Sequence, residues 1–256
     1  METYAGTHHE VAGAEKMVKG TTTGVHIVKE LTENTCEWTR VIQADLKFSS
    51  AMPVSVLDLV AKQELAWPNK LQEKLRRNGK EVDREVAAAL AGEMIEQRRK
   101  PLMADQVVVF ESCEELLGVK AEEGWKALES TNKEVEMLMK YFPPKKGERS
   151  VATGKAVGVV DCSAEVVAWQ MDYCSNERMR IHKEEGHLGR LELREKARVN
   201  EASYTTVKNF PFLLDNREFV FRQFWKSEEG KVSIAVESID DEVDYGVKPG
   251  KTRGFV

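Results

Sequence analysis

Residues 207–238 read VKNFPFLLDNREFVFRQFWKSEEGKVSIAVES, and this stretch decides the fold. REFVFRQFWK and KVSIAVESI carry β-branched and aromatic residues at the density of strands. SEEG between them is competent for a tight turn, and PFLLDN ahead of them serves as a longer one. Strand alternation puts Phe219, Phe221, Gln223 and Trp225 on one face, with Val220, Arg222 and Phe224 on the other. One of these faces must meet a helix or a cavity.

Working outward toward the N-terminus, EASYTTVKNF and HLGRLELREKARVN add two more strand-like runs. With the opening pair they make an antiparallel meander. Before them lie a polar connector, NERMRIHKEEG, and a helix, SAEVVAWQMDY, which Asp161 or Ser163 is placed to cap. SVATGKAVGVV reads as a strand.

The N-terminal part has its own logic. Residues 1–23 are rich in Gly, Thr, His and charge, and read as a flexible tail. GVHIVKEL, the turn TENT and CEWTRVIQADLKF form an antiparallel hairpin. Apolar spacing then predicts a helix over 53–76, bent near Pro68 by a kink or a restart, with Leu57, Val60, Leu71 and Leu75 buried. KEVDREVAAALAGEMIEQRRK is a second helix, with a stripe of Val82, Val86, Ala89, Leu90 and Ile95, and it stops before Pro101. Residues 101–148 read as a helical connector. Within it VVVFESCEELLGV suits strand or helix, EEGWKALES a short helix, EVEMLMKYF an alternating strand and PPKKGER a turn.

Composition limits the function. The 256 residues are 41% hydrophobic and 32% charged with a net charge of −5, which fits a globular chain and excludes non-specific nucleic-acid binding by bulk charge. No run approaches the ~20 apolar residues of a membrane span, and the first residues lack the apolar core of a secretory signal. Cys36, Cys113, Cys162 and Cys174 form no CxxC pair and read as reduced thiols of a cytoplasmic protein.

Motifs for catalysis or metal binding are weak. GVKPGKT at 246–252 has its first glycine one residue too close for a phosphate loop, and little chain follows it. HKEEGH at 182–187 does not space its histidines for one helix face, and His8-His9-Glu10 lies in the tail. GKAVGVV lacks the dinucleotide fingerprint, and no GxSxG elbow is present. No catalytic residue, metal ligand or cofactor is assigned. Glu218 suits a surface ion pair, whereas Arg217 beside an aromatic run suits a fork of hydrogen bonds that pins a loop.

Two stretches resemble the START (StAR-related lipid-transfer) family. Residues 207–238 are similar to its central strands, with the Asn-Arg-acidic-aromatic-Val signature at 216–220. Residues 39–75, TRVIQADLKFSSAMPVSVLDLVAKQELAWPNKLQEKL, are similar to its last strand, Pro loop and long terminal helix. The order is reversed. Residues 24–100 resemble the C-terminal half of such a domain and 149–256 its N-terminal half. The chain is then either a piece of a tandem array, with further START-like domains in a longer chain, or a permuted domain. In the second case the 24–48 hairpin joins the 149–256 sheet, GVHIVKEL pairs with a strand near Thr252, and the 53–76 helix crosses the sheet.

The resemblance implies an α+β helix-grip fold, a curved antiparallel sheet around a long helix, with a tunnel for one lipid or sterol. It implies binding and intracellular lipid transfer rather than catalysis, transient membrane contact, and no nucleic-acid partner. The wall residues it points to are Phe219, Phe221 and Trp225 with Arg217 and Arg222 from the sheet, and Leu57, Val60, Trp67 and Leu71 from the helix. Phosphatidylcholine-binding members reach the phosphate with a Tyr and an Arg. Phe219 and Trp225 stand at the matching positions, which implies a sterol or another weakly polar lipid. Two other readings are a regulatory interaction module with no working tunnel and an enzyme of the wider helix-grip superfamily.

Overall fold

A computed structural model describes residues 18–48, 52–75, 84–117, 124–142, 151–171, 184, 189–193, 199–208 and 216–239. The tail through residue 17, Cys174, HKEEGH apart from Glu184, GVKPGKT and the strand expected near Thr252 lie outside the described residues.

The strands are β1 (Val18–Lys19), β2 (Thr21–Thr32), β3 (Thr35–Asp45), β4 (Lys126–Leu128), β5 (Val135–Phe142), β6 (Val151–Val160), β7 (Gly189–Leu193), β8 (Glu201–Lys208), β9 (Arg217–Glu228) and β10 (Lys231–Ser238). The helices are α1 (Val54–Leu65), α2 (Trp67–Lys74), α3 (Arg84–Arg98), α4 (Ala104–Leu117) and α5 (Ala164–Gln170). The fold is α+β. One curved sheet runs β4-β5-β6-β3-β2-β10-β9-β8-β7 with all neighbours along this path antiparallel. The short β1 adds in parallel to β9.

The meander and hairpin form where alternation and turn chemistry place them. Gly230, at φ 65°, takes the left-handed position of the two-residue turn between β9 and β10. Ser163 caps α5 by accepting from the Val166 amide. The N-terminal hairpin is the middle of the sheet: β2 pairs with β10, and β3 with β6. Its partner is therefore β10, Thr23–Lys29 against Lys231–Glu237, and not a strand near Thr252. The Thr22 amide donates to Ser238 Oγ at 2.7 Å, which closes the chain across 216 positions.

Both faces of the sheet are covered. On one, Val28, Trp38, Trp225, Val232 and Ile234 pack against α2, α3 and α5. On the other, Val25, Val41, Phe224 and Ala235 pack against Val109, Phe110 and Cys113 of α4.

Four expectations are corrected. Residues 18–19 and 21–23 are strand rather than tail, because β1 adds to β9, β2 has a partner on each side, and Gly20 and Gly24 admit close neighbours. A Cβ on Gly24 would lie 2.5 Å from the Val41 carbonyl oxygen. Residues 101–148 are only partly a helical connector. VVVFESCEELL is helical in α4, but β5 extends the sheet beside β6, and Lys126–Leu128 is an edge strand where a helix was expected. Two-residue periodicity in Val135, Met137 and Met139 decides this, since all three are buried against the sheet's helix-covered face. The stripe of α3 is Ala87, Ala91 and Ile95, while Leu90 is exposed. Finally, 53–76 is two helices separated at Ala66, with Pro68 in the first turn of the second. The first turn tolerates proline, and the amide it removes is the one that would have continued α1 across the break. Val60, Leu71 and Leu75 are buried as expected, and Leu57 is half-buried.

Candidate ligand-binding cavity

Between α1–α2 and the sheet lies a cavity of about 1130 Å³. Its floor is the inward set of alternating strand residues, including Ile42, Met137, Met139, Phe219, Phe221 and Val236. Its roof is Leu57, Val60, Ala61 and Leu65 of α1 with Trp67 of α2. Gly24, Ala44, Ala152 and Gly154 are among the lining residues; at Gly154 the missing side chain lets Leu65 of α1 close on the sheet, since a Cβ there would come within 2.9 Å of it. Phe221 meets its cross-strand neighbour Tyr204 edge-to-face with ring centroids 4.5 Å apart, so the aromatic part of the floor is fixed from the side.

The polar part of the wall follows from one proline. In a continuous helix the amide of residue 68 would donate to the carbonyl of residue 64. Pro68 has no amide hydrogen. The Glu64 carbonyl instead accepts from Arg40 Nη1, reaching up from β3. Arg40 is 5% exposed, and its Nη2 lies 3.8 Å from the Glu64 carboxylate. Lys208 Nζ, from β8, lies 2.5 Å from the same carboxylate oxygen and 5.8 Å from the Phe219 ring centroid. Arg40 Nε is buried with no hydrogen-bond partner among the described residues. At another part of the wall, Tyr141 donates to Asp58 at 2.9 Å, and Lys126 also donates to Asp58. Lys126 holds the Asp58 carboxyl below its ordinary range. Burial, then the bond to Asp58, pushes the Tyr141 hydroxyl up.

Five of the nine sequence-identified wall residues line the cavity: Phe219, Phe221, Leu57, Val60 and Trp67. Four do not. Trp225 is 1% exposed and packs in the core beside Leu71, because α3 and α5 cover the sheet where the cavity ends. Arg222 points to the opposite face, where it pairs with Glu237 at 2.5 Å and lies 3.8 Å from Asp105 of α4. Arg217 is buried and pins the chain after β3: its Nε donates to the Leu46 carbonyl at 2.7 Å, and its guanidinium lies over the Phe48 ring. It supports two lining residues, Leu46 and Phe48, without lining the cavity itself.

Arg40, Glu64 and Lys208 were missed. A signal was present. Arg40 occupies an inward position of β3 between Trp38 and Ile42, and Pro68 stands four residues after Glu64. A charged residue on an inward face asks for a partner, and a proline-freed carbonyl offers one.

No family model, curated protein or solved structure matches this chain. Among the described residues, no helix is long and apolar enough to cross a membrane, and no group of three or more His, Cys, Asp or Glu side chains is placed to hold a metal. Cys36, Cys113 and Cys162 are buried free thiols.

Proposed function

We propose that this protein binds a hydrophobic ligand, a lipid or sterol, and carries it between membranes on a helix-grip scaffold whose halves occur in reversed order. The observation that carries the reading is the cavity of about 1130 Å³ between α1–α2 and the sheet, walled largely by aliphatic and aromatic side chains. Small-molecule sites are mostly apolar cavities of about 300–1,000 Å³ with a few polar groups that orient the ligand, so this volume suits a large ligand. The sheet order supports the permuted scaffold. The N-terminal hairpin fills the gap between β10 and β6, and the helices that follow it lie over β5 and β6.

The reading is of a binder rather than an enzyme. Asp58 is kept ionised by Lys126 and Tyr141 is kept protonated, so neither is poised to exchange a proton near neutral pH. Native mass spectrometry of the protein purified from cells, followed by extraction and rebinding, tests this. A stoichiometric lipid that rebinds to the stripped protein supports it. A stripped protein that takes up neither sterols nor acyl lipids refutes it.

A further inference from the structure

Among the described residues that line the cavity, cations outnumber carboxylates. Arg40, Lys62, Lys70 and Lys208 are cations in its wall, and Glu64 and Glu129 are the carboxylates there. Lys62 pairs with Glu129 at 3.4 Å, well exposed. Deeper in, two cations, Arg40 and Lys208, share one carboxylate oxygen of Glu64. Among the described residues this group carries two positive charges and one negative, with Arg40 buried and Lys208 partly exposed. A further anion that reaches it from the cavity meets net positive charge. The surplus also stands out against the chain's overall charge of −5.

We infer that the ligand is an amphiphile with a single negative charge on its head, a long-chain carboxylic acid, seated with its head against Lys208 and Arg40. This rests on the lipid-binding reading and replaces the weakly polar ligand expected from Phe219 and Trp225. The Trp225 position does not face the cavity, so its lack of charge says nothing about the head group. The cation that matters comes from β3. A carboxylate offers acceptor oxygens to the Lys208 ammonium and to the Arg40 guanidinium, and charge-assisted hydrogen bonds to arginine and lysine are the stronger kind. The acyl chain then runs along the apolar floor, past Phe219 and the Met137 and Met139 side chains. Thioether side chains adapt to a flexible chain better than branched ones.

The test uses the full chain stripped of lipid. It is titrated with a long-chain fatty acid carrying a fluorophore at its methyl end, with the methyl ester of the same probe, and with a fluorescent sterol. The wild-type protein is expected to bind the acid roughly tenfold or more tightly than the ester. Lys208→Gln should bring acid and ester to within about threefold of each other, since the charged contact to the acid is removed. Arg40→Gln should do the same, and Lys208→Gln carries the test if the buried arginine is needed for folding. Equal binding of acid and ester by the wild type, or an undiminished preference in folded Lys208→Gln, overturns the acidic ligand and leaves lipid binding standing. Failure of all three probes to bind overturns both.

Discussion

Pro68 and Arg40 should be energetically coupled although they lie on different elements. The perturbation is a double-mutant cycle: Arg40→Met, Pro68→Ala, and both together. Arg40→Met removes the donor to the Glu64 carbonyl and one cation from the Glu64 carboxylate. A lost hydrogen bond to a charged donor costs about 1.5–3 kcal/mol, partly offset because a buried ion is removed with it. Pro68→Ala deletes two ring carbons of a buried residue, at about 0.8 kcal/mol each. It also restores the amide hydrogen that can reach the Glu64 carbonyl, worth about 1 kcal/mol. In the alanine background the carbonyl has a backbone donor of its own. Arg40→Met should therefore cost about 1 kcal/mol less there than in the proline background. Urea unfolding of the four proteins, compared at equal slope, measures the coupling. Packing lost at position 68 appears on both sides of the cycle and cancels. Additivity within about 0.3–0.5 kcal/mol would refute the argument that the proline recruits the arginine.

Trp225→Ala should cost about 3–5 kcal/mol of stability by leaving a core void, while the ratio of ligand affinities stays unchanged; a shift in that ratio would return Trp225 to the site. Asp58 has a carboxyl lowered from its ordinary value of 3.8, chiefly by Lys126, so its pairing stabilises the fold above that value and the contribution is lost as pH falls through the lowered one. Melting temperatures of wild type and Asp58→Asn should thus differ near neutral pH and converge in acid. Burial pushes the Cys36 thiol up to about 12 and the Cys113 thiol up to about 11, so neither should react with a thiol reagent at mildly alkaline pH until urea unfolds the chain; fast reaction of either in the native protein would contradict their burial.

The strands were legible where both sequence signals agreed. REFVFRQFWK alternates and is flanked by turn residues, and β9 forms there with its faces as read. The signals misled where tertiary pairing decides. KAL is too short for any period, and it becomes strand only because β5 lies beside it. The Thr-rich residues 21–23 look like tail until both neighbouring strands are known. The site was half legible for a similar reason. Alternation tells which residues share a face of β9, but not where along that face the helices end and the cavity begins. Phe219 and Trp225 lie on one face, and one meets a cavity while the other meets α3 and α5. Arg40 was hidden by its surroundings, an inward charge in a run whose β-branched and aromatic neighbours already account for a strand.

The way the chain's two ends meet in one sheet has a physical consequence for the cavity. Arg40 and Glu64 come from the N-terminal part of the chain, and Lys208 and Phe219 from the C-terminal part. The bond that joins them, Lys208 to Glu64, spans 144 positions. It forms only once β2 has docked on β10 and β3 on β6, since those pairings bring the parts together. Neither half walls the cavity alone. An unjoined hairpin would also present two open strand edges, which favour pairing with other chains. Assembly of the sheet and assembly of the cavity are thus one event, and a ligand that spans both halves binds only the closed state. Such a ligand raises the stability of the whole chain by mass action. The unfolding transition should shift with ligand concentration as a single step. Early loss of β2–β3 pairing with a ligand still held by the remainder is incompatible with walls drawn from both ends.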